Sequence, residues 1–447
     1  MTKADIVIIG GSAAGLTAAI SARRTYPKKK TLLIRQEKQV LIPCGIPYIF
    51  GTVGSPEKNL IPDAALEKNG IELLIAQAKK IDRKKKIVET TEGDVEYERL
   101  IVSTGSVPVM PPIPGFDRDG VMAIIKDVAF LREMQQRTEK AKNIVIVGGG
   151  FIGIEMADEI NKLGGKSITI VELFPHCLSL AYDEEFCIEM EEVIRARGIA
   201  IRTGTKVVAI NGNSAVESVQ LSDGTELEAD LVVMAIGAAA NVDLARDAGL
   251  HIGLTGSIAV DRTMRTSDEC IYACGDCAEK VSFFGGGPSP LKLASIATLE
   301  ARIAGANVYG VKRESPGTVG VWSTAVGDVA LGTAGLTEAM AKKRGYEVVA
   351  VSLEGPNRHP GIMPGAANTK LKLVFEANSG VLVGGQVRGD STAGEISNII
   401  SACIQKRMTA EDIAMFQMGT QPALTASPVA YPLVNLAEMA IAQMGRN

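Results

Sequence analysis

The chain has 447 residues, 46% hydrophobic and 22% charged, with 47 glycines and one tryptophan. This length predicts about three domains with ample apolar material for their cores. The formal net charge of −4 excludes a broad nucleic-acid footprint, and no apolar run is long enough to span a bilayer.

The N-terminus enters a strand pattern directly, with no signal-peptide signature, so the expectation is a cytoplasmic protein without a membrane partner. Asp5–Ile9 is a continuous apolar run of the kind that forms a buried parallel strand. Gly10-Gly11-Ser12-Ala13-Ala14-Gly15 follows, then a helical pattern through Leu16, Ala19, Ile20 and Arg23. Strand, tight turn and helix form the setting a dinucleotide fingerprint requires, although Ser12 stands where the second motif glycine usually lies. The next strand, Thr31–Ile34, leads into Arg35-Gln36-Glu37. Glu37 is the local candidate for a ribose-binding carboxylate, with a solvated turn glutamate as the alternative.

The stretch Leu41–Tyr48 places Cys44 between Pro43 and Gly45, ahead of a second apolar segment. If that segment is a helix, Cys44 lies at its N-terminus, where unsatisfied N–H groups favour a thiolate. Ile71–Ile75, Lys86–Thr90 and Val95–Tyr97 are expected as short strands of an antiparallel insertion. The apolar run Leu100–Val102 then ends in Ser103-Thr104-Gly105, and the proline-rich segment 108–115 leads out of the domain.

A second buried strand, Asn143–Val147, precedes Gly148-Gly149-Gly150-Phe151-Ile152-Gly153, a full GxGxxG, and Glu155 continues as a helix. The next strand, Ile168–Val171, ends at Glu172, placed to bind a ribose 2′-hydroxyl and to repel a 2′-phosphate. The segment closes with Asp230–Gly237. Another apolar strand then ends in Ala273-Cys274-Gly275-Asp276, and residues 291–305 read as a helix. Beyond about residue 315 the pattern changes to antiparallel strands at 319–322, 326–331, 348–353, 369–375 and 381–387, with helices at 393–404 and 410–416.

The seven cysteines (44, 177, 187, 270, 274, 277 and 403) are too scattered for a disulfide framework. Cys274 and Cys277 have CxxC spacing, but the intervening Gly-Asp belongs to the strand-end motif. No His/Cys cluster has zinc-ligand spacing, so no metal site is expected.

Together, the two glycine loops, Cys44, Ser103–Gly105, Glu155, Ala273–Asp276 and the C-terminal third resemble the pyridine nucleotide-disulfide oxidoreductases over nearly the whole chain. The resemblance implies an α/β fold with two Rossmann-like domains, one for FAD and one for NAD, the second inserted in the first, plus a C-terminal α+β dimerisation domain. The implied boundaries are 1–112 and 247–318 for FAD, 113–246 for NAD(P) and 319–447 for dimerisation. FAD would lie on Gly10, Ser12, Ala14, Gly15, Glu37, Thr104, Gly105, Gly275 and Asp276. NADH, or NADPH, would use Gly148, Gly150, Ile152, Gly153, Glu172 and Gly237. Glu172 without a nearby arginine favours NADH.

The position five residues after Cys44, where dithiol members carry a second cysteine, is Ile49. The chain therefore resembles the single-cysteine branch, which contains coenzyme A-disulfide reductases, NADH oxidases and peroxidases, and polysulfide reductases. Ala13 stands where water-forming oxidases and peroxidases of this branch carry a histidine. Arg23 and Arg24 resemble a basic pair that holds coenzyme A phosphates; the alternative is a pair of helix-end cations. The tyrosines that reach the redox cysteine from the partner subunit are missing, and His359 is the candidate acid/base in their place, with a structural loop histidine as the alternative. The implied function is transfer of electrons from NADH through FAD to Cys44 and on to a small disulfide, persulfide or polysulfide, by a homodimer. The alternatives are an NADH oxidase forming mainly peroxide from O₂, and a flavoprotein redox sensor or electron-transfer partner.

Overall fold

The computed structural model describes residues 1–445. It divides the chain into two compact units. The first comprises 1–112, 116–141 and 233–318, and the second comprises 113–115, 142–232 and the chain from Val319 on.

The first unit is built on β1 (Thr2–Ile9), α1 (Ala13–Thr25), β2 (Thr31–Arg35), β3 (Val40–Leu41), β4 (Leu60–Ile61), α2 (Ala64–Lys68), β5 (Glu72–Ile75), β6 (Ala78–Asp82), β7 (Ile87–Thr90) and β8 (Val95–Val102). The sheet order is β5-β2-β1-β8-β7-β6, and the strand Ile271–Ala273 pairs with the end of β8. The pairs β5·β2, β2·β1, β1·β8 and β8 with Ile271–Ala273 are parallel; β6 and β7 are antiparallel.

The central strands are apolar where both faces are covered, at Ile6–Ile9, Leu32–Ile34 and Leu100–Val102. Val7, Ile9, Leu32, Ile34, Leu100 and Val102 point into one core, with Ile258 and Ile271. Ile6, Ile8, Leu33 and Ile101 point into the other, against Ala18, Ala19 and Ala22 of α1 and Ala301 and Ala304 of the helix Ala294–Asn307. The small residues let these two helices approach closely: a Cβ on Gly305 would lie 2.5 Å from the Ala18 carbonyl oxygen.

This changes part of the expected insertion. Ile71–Ile75 was expected as an antiparallel strand, but β5 is a parallel edge strand beside β2. Val95–Tyr97 and Leu100–Val102 are one strand, β8, whose first half pairs with β7 and whose second half carries Ile271–Ala273. The polar residues Glu96, Glu98 and Arg99 concealed its continuity, because their side chains are satisfied at the rim by Lys3, Lys29 and the Val308 carbonyl.

The second unit contains the parallel strands Asn143–Val147, Ser167–Val171 and Ala200–Arg202, with the helix Phe151–Asn161 after the first. It also contains a five-stranded antiparallel sheet in the order Val321–Val326, Val329–Gly335, Leu382–Gly389, Asn368–Glu376, Val348–Pro356. The helix Ala393–Gln405 covers that sheet, and Pro432–Met444 is a further helix absent from the expectation. The two parts meet at Phe151 and Trp322, stacked 6.3 Å apart, and at buried Asp183, which accepts from Gln386 Nε2 at 2.6 Å and pairs with Lys372 at 3.0 Å. None of the described helices is long and apolar enough to cross a membrane.

Candidate active site

The first glycine loop is shaped by contacts that only a glycine allows. Gly10 has φ +107° and donates to the Ile34 carbonyl at 2.8 Å. A Cβ on Gly15 would lie 1.8 Å from the Gly10 oxygen, and one on Gly10 would lie 2.2 Å from the Ser103 oxygen. The turn thus wraps tightly from β1 into α1, with Ser12 at the N-cap and Ala14 just inside the helix. Ser103 closes the loop from the side, donating its Oγ to the Ile9 carbonyl at 2.7 Å. Thr104 and Gly105 are tied to residue 241 by bonds of 2.6 and 2.9 Å. At Gly105, with φ +71°, a Cβ would meet nothing within 4 Å, so the backbone borders open space.

Gly275 and Asp276 follow the strand Ile271–Ala273 in the same unit. Gly275 has φ +79°, and a Cβ there would lie 2.8 Å from the Ala14 Cβ, so this turn packs directly on the glycine loop. Asp276 accepts from Ser106 Oγ at 2.8 Å, and Lys126 reaches the same hydroxyl at 3.3 Å. A buried ion pair grips the turn from below. Glu300, 1% exposed, accepts from the Gly275 N–H at 2.9 Å. Lys280, 3% exposed, donates to the Gly275 carbonyl and to that of Ala278 at 2.7 Å, and lies 3.4 Å from Glu300. Burial pushes the Glu300 carboxyl up to about 7 despite the ammonium. Cys274 and Cys277 are fully buried beside this pair, and burial raises both thiols.

A narrow cradle of glycine backbone, an N-terminal helix turn and a carboxylate at a strand end fit an extended dinucleotide. The sequence had marked Asp276 but not Ser106, Lys280 or Glu300. Nothing short of the fold brings residues 106, 126, 280 and 300 to one turn.

Cys44 does not lie at the start of an α-helix. Pro43–Gly45 and Pro47–Phe50 are two 3₁₀ turns, separated by Ile46. The prolines 43 and 47 favour such short turns, and the macrodipole argument for the thiolate falls with the helix. The loop is nevertheless pinned. β3 and β4 close its base, and Asn59 donates its side-chain N–H to the Ile42 carbonyl at 2.9 Å. A Cβ on Gly45 would lie 2.1 Å from the Asn59 Oδ1. Cys44 is exposed, the other six cysteines are buried, and none of the seven is in a disulfide. Ile49 is fully buried.

The second unit repeats the glycine loop. Gly148 has φ +107° and donates to the Val171 carbonyl at 2.8 Å, and a Cβ on Gly153 would lie 1.9 Å from the Gly148 oxygen. Gly150 is the N-cap of Phe151–Asn161 and borders open space, and Ile152 is exposed beside it. The Glu172 carboxylate accepts from the N–H groups of Gly149 at 2.6 Å and Phe174 at 2.8 Å. Glu155, one turn into the helix, accepts from Thr324 Oγ1 at 2.8 Å, and burial raises its carboxyl to about 7. Gly237, expected with these residues, falls in the first unit instead, where Val109 donates to its carbonyl.

In the C-terminal sheet domain the loops around 359 and 425 are joined. His359 donates its backbone N–H to Pro422, and its Nδ1 lies 3.0 Å from the Thr425 carbonyl. A carbonyl can only accept, so Nδ1 carries the hydrogen and, in the neutral ring, Nε2 holds the lone pair. The same loops expose Ile362, Leu424 and Val429 to 91%, 70% and 85%. Of the two arginines at the end of α1, Arg23 is committed to loop carbonyls at Asn69, Pro27 and Lys29, and Arg24 is exposed.

Two dinucleotide loops of this kind, with one exposed cysteine on a pinned loop, define a flavin- and nicotinamide-dependent oxidoreductase. The chain belongs to the pyridine nucleotide-disulphide oxidoreductases: the family's model matches residues 4–301, and that of its dimerisation domain matches 321–430. It is an enzyme of the FAD-dependent NAD(P)H oxidoreductase type.

Among curated proteins it is 32% identical to the NAD(P)H coenzyme A polysulfide/persulfide reductase of Pyrococcus horikoshii, with 98% of each chain covered. It is 30% identical to an NADH oxidase of Methanocaldococcus jannaschii, covering 98% of this chain and 99% of the relative. Among solved structures, an NAD-dependent persulfide reductase from A. fulgidus superposes with a TM-score of 0.91 at 30% identity, covering 99% of this chain and 84% of that one.

Proposed function

We propose that this enzyme reduces a small disulfide, persulfide or polysulfide through Cys44. The observation that carries the reading is the contrast among the cysteines: one thiol is presented to solvent on a pinned loop, and six are buried. Bound FAD supplies the redox chemistry, taking two electrons from NAD(P)H and giving them up to sulfur. The glycine loop 10–15, Thr104, Gly105 and the Gly275-Asp276 turn hold it; the loop 148–153 and Glu172 hold the nicotinamide nucleotide.

In this reading the Cys44 thiolate attacks one sulfur of the substrate, a mixed disulfide forms, and the other sulfur leaves as a thiol. Two electrons and one proton would then cleave the mixed disulfide into the second thiol and the Cys44 thiolate. The enzyme works as a homodimer through its dimerisation domain, whose loops at 357–366 and 420–432 wall the partner's site. His359, with Nδ1 fixed by Thr425, takes the proton of the Cys44 thiol on Nε2 as the thiolate forms and hands it to the leaving sulfur. Coenzyme A is the carrier thiol suggested by the Pyrococcus relative.

Oxygen is the second reading, supported by the oxidase relative. With Ala13 in the first glycine loop, it predicts peroxide as the main product.

The test is Cys44→Ser. Stopped-flow reduction of the flavin by NADH is expected to keep its rate, while turnover with coenzyme A disulfide and with polysulfide falls to background. Undiminished disulfide turnover in that variant overturns the relay. Peroxide formed in proportion to NADH consumed, with no response to sulfur acceptors, selects the oxidase.

A further inference from the structure

The two halves of the dinucleotide machinery can be compared residue by residue. In β1·β2 the last pair is Ile9 with Ile34; in the second unit it is Val147 with Val171. Gly10 and Gly148 make the same bond and share the same φ. The next residue on each second strand is therefore Arg35 in the first unit and Glu172 in the second. Both lie against the glycine that follows: a Cβ on Gly11 would sit 2.4 Å from Arg35 Cδ, and one on Gly149 would sit 3.1 Å from the Glu172 Cβ. This is the position from which a carboxylate reaches an adenosine ribose. In the first unit a cation occupies it.

That cation is already spent. The Arg35 side chain is 3% exposed. Its Nε donates to the Glu37 carbonyl at 2.9 Å and Nη2 to the Lys38 carbonyl at 3.2 Å. Its fork closes on Asp63, Nη1 to Oδ1 at 2.6 Å and Nη2 to Oδ2 at 2.7 Å. Four of its five N–H groups are thereby engaged and the side chain is buried, so it is poorly placed to take a phosphate. Asp63 is its complement: the side chain is 40% exposed, and each oxygen keeps a second lone pair. Asp63 leads into α2 but makes no cap bond with its side chain, so the carboxylate is not needed by that helix. Glu37 uses its backbone on Arg35, and among the described residues its carboxylate meets only Gln36, at 3.3 Å.

We infer that Asp63, held in place by Arg35, is the carboxylate that binds the adenosine ribose hydroxyls of FAD, in place of Glu37. Arg35 is a positioning residue. It fixes the exit turn 36–38 and delivers a carboxylate from a distant loop to the place where the second unit uses Glu172 directly. This rests on the first glycine loop holding FAD.

The test is flavin exchange on the holoenzyme. The protein is equilibrated with an equal mixture of FAD and an analogue whose adenosine ribose lacks both hydroxyls, and the bound flavins are separated after denaturation. The native protein is expected to prefer FAD by about tenfold or more. D63N is expected to lose most of that preference and to release FAD faster; E37Q is expected to keep it. R35K, which retains the charge but not the fork, tests the pair if D63N does not fold, and its preference is expected to fall at least threefold. Preference unchanged in D63N and R35K, or lost in E37Q, overturns the assignment. A purified native protein that carries no FAD overturns the flavin reading itself, a different failure.

Discussion

Lys280→Met tests how the Gly275-Asp276 turn is held. The ammonium donates to the carbonyls of Gly275 and Ala278 and faces Glu300, which is 1% exposed and bonded to the Gly275 N–H. Methionine keeps the length of the stem and removes the charge. Glu300 then stays buried with no cation, and two carbonyls lose their donor. Breaking a buried pair from one side costs about 3–5 kcal/mol.

The cost depends on pH. Glu300 already has its pKa raised, to about 7 against an ordinary 4.5, and Lys280 is what holds it down. A carboxyl whose folded pKa is raised contributes stability that is complete below the unfolded pKa and is lost as pH rises through the folded one. Removing Lys280 raises that pKa further. The deficit of the variant is therefore small near pH 4.5 and grows through pH 7 to 8. Adding Glu300→Gln removes the stranded charge and is expected to recover about 2 kcal/mol of the loss.

The assay is urea unfolding at pH 5 and pH 8, followed by circular dichroism and by flavin fluorescence, for the native protein, both single variants and the double. A pH-independent deficit under about 1 kcal/mol in Lys280→Met, or a double variant no better than the single, refutes the reasoning.

The remaining predictions concern the two glycine loops, Glu155 of the second unit and the apolar loops. Gly15→Ala puts a Cβ 1.8 Å from the Gly10 oxygen and is expected to lower the flavin-to-protein ratio on purification. Gly153→Ala makes the matching clash of 1.9 Å and is expected to raise the KM for NADH with flavin content intact. Glu155, raised to about 7 by burial, makes the native protein less stable above that pH. Glu155→Gln is expected to narrow the stability difference between pH 5 and pH 8 by up to about 3 kcal/mol, read from denaturation at both values. Leu424→Asp with Val429→Asp places charge on side chains that are 70% and 85% exposed, and is expected to shift the species seen by light scattering from dimer to monomer.

The parts of the fold legible in the sequence are those where local chemistry is decisive. A strand segment buried on both faces is apolar, so Ile6–Ile9 and Ile144–Val147 announce themselves, and the turn after each needs glycine where a Cβ would strike backbone. Cys44 is legible as the candidate redox thiol, but its setting is not. Pro43 and Pro47 break the segment into 3₁₀ turns, and only the fold shows that Asn59 pins the loop. β8 was read as two pieces because its rim residues are polar, and β5 was read as antiparallel because strand direction is set by the partner rather than by composition. Lys280, Glu300, Ser106 and Asp63 carry no local signal. They are single polar residues in short strands, loops or a helix, and their importance arises from burial and from partners far away in sequence.

The comparison between the halves shows why the site cannot be read by motif transfer alone. The two glycine loops are nearly superimposable in their internal bonds, with Gly10 and Gly148 sharing a φ of +107° and the same strand-end acceptor. What differs is the residue one step beyond the acceptor. In the second unit Glu172 turns its carboxylate back onto the Gly149 N–H, so a single residue stiffens the loop and, in the proposed site, would also offer acceptors to a ribose. In the first unit Arg35 stiffens the exit turn through two carbonyls but can present no acceptor, because a guanidinium has none. The acceptor must then come from another segment, and the bidentate pair with Asp63 is the one the fold supplies. The backbone of a dinucleotide site is dictated by where a Cβ cannot fit. The choice of the charged group above it is free as long as carboxylate lone pairs are supplied there, by one residue or by a held partner, and that supply is a property of the folded chain.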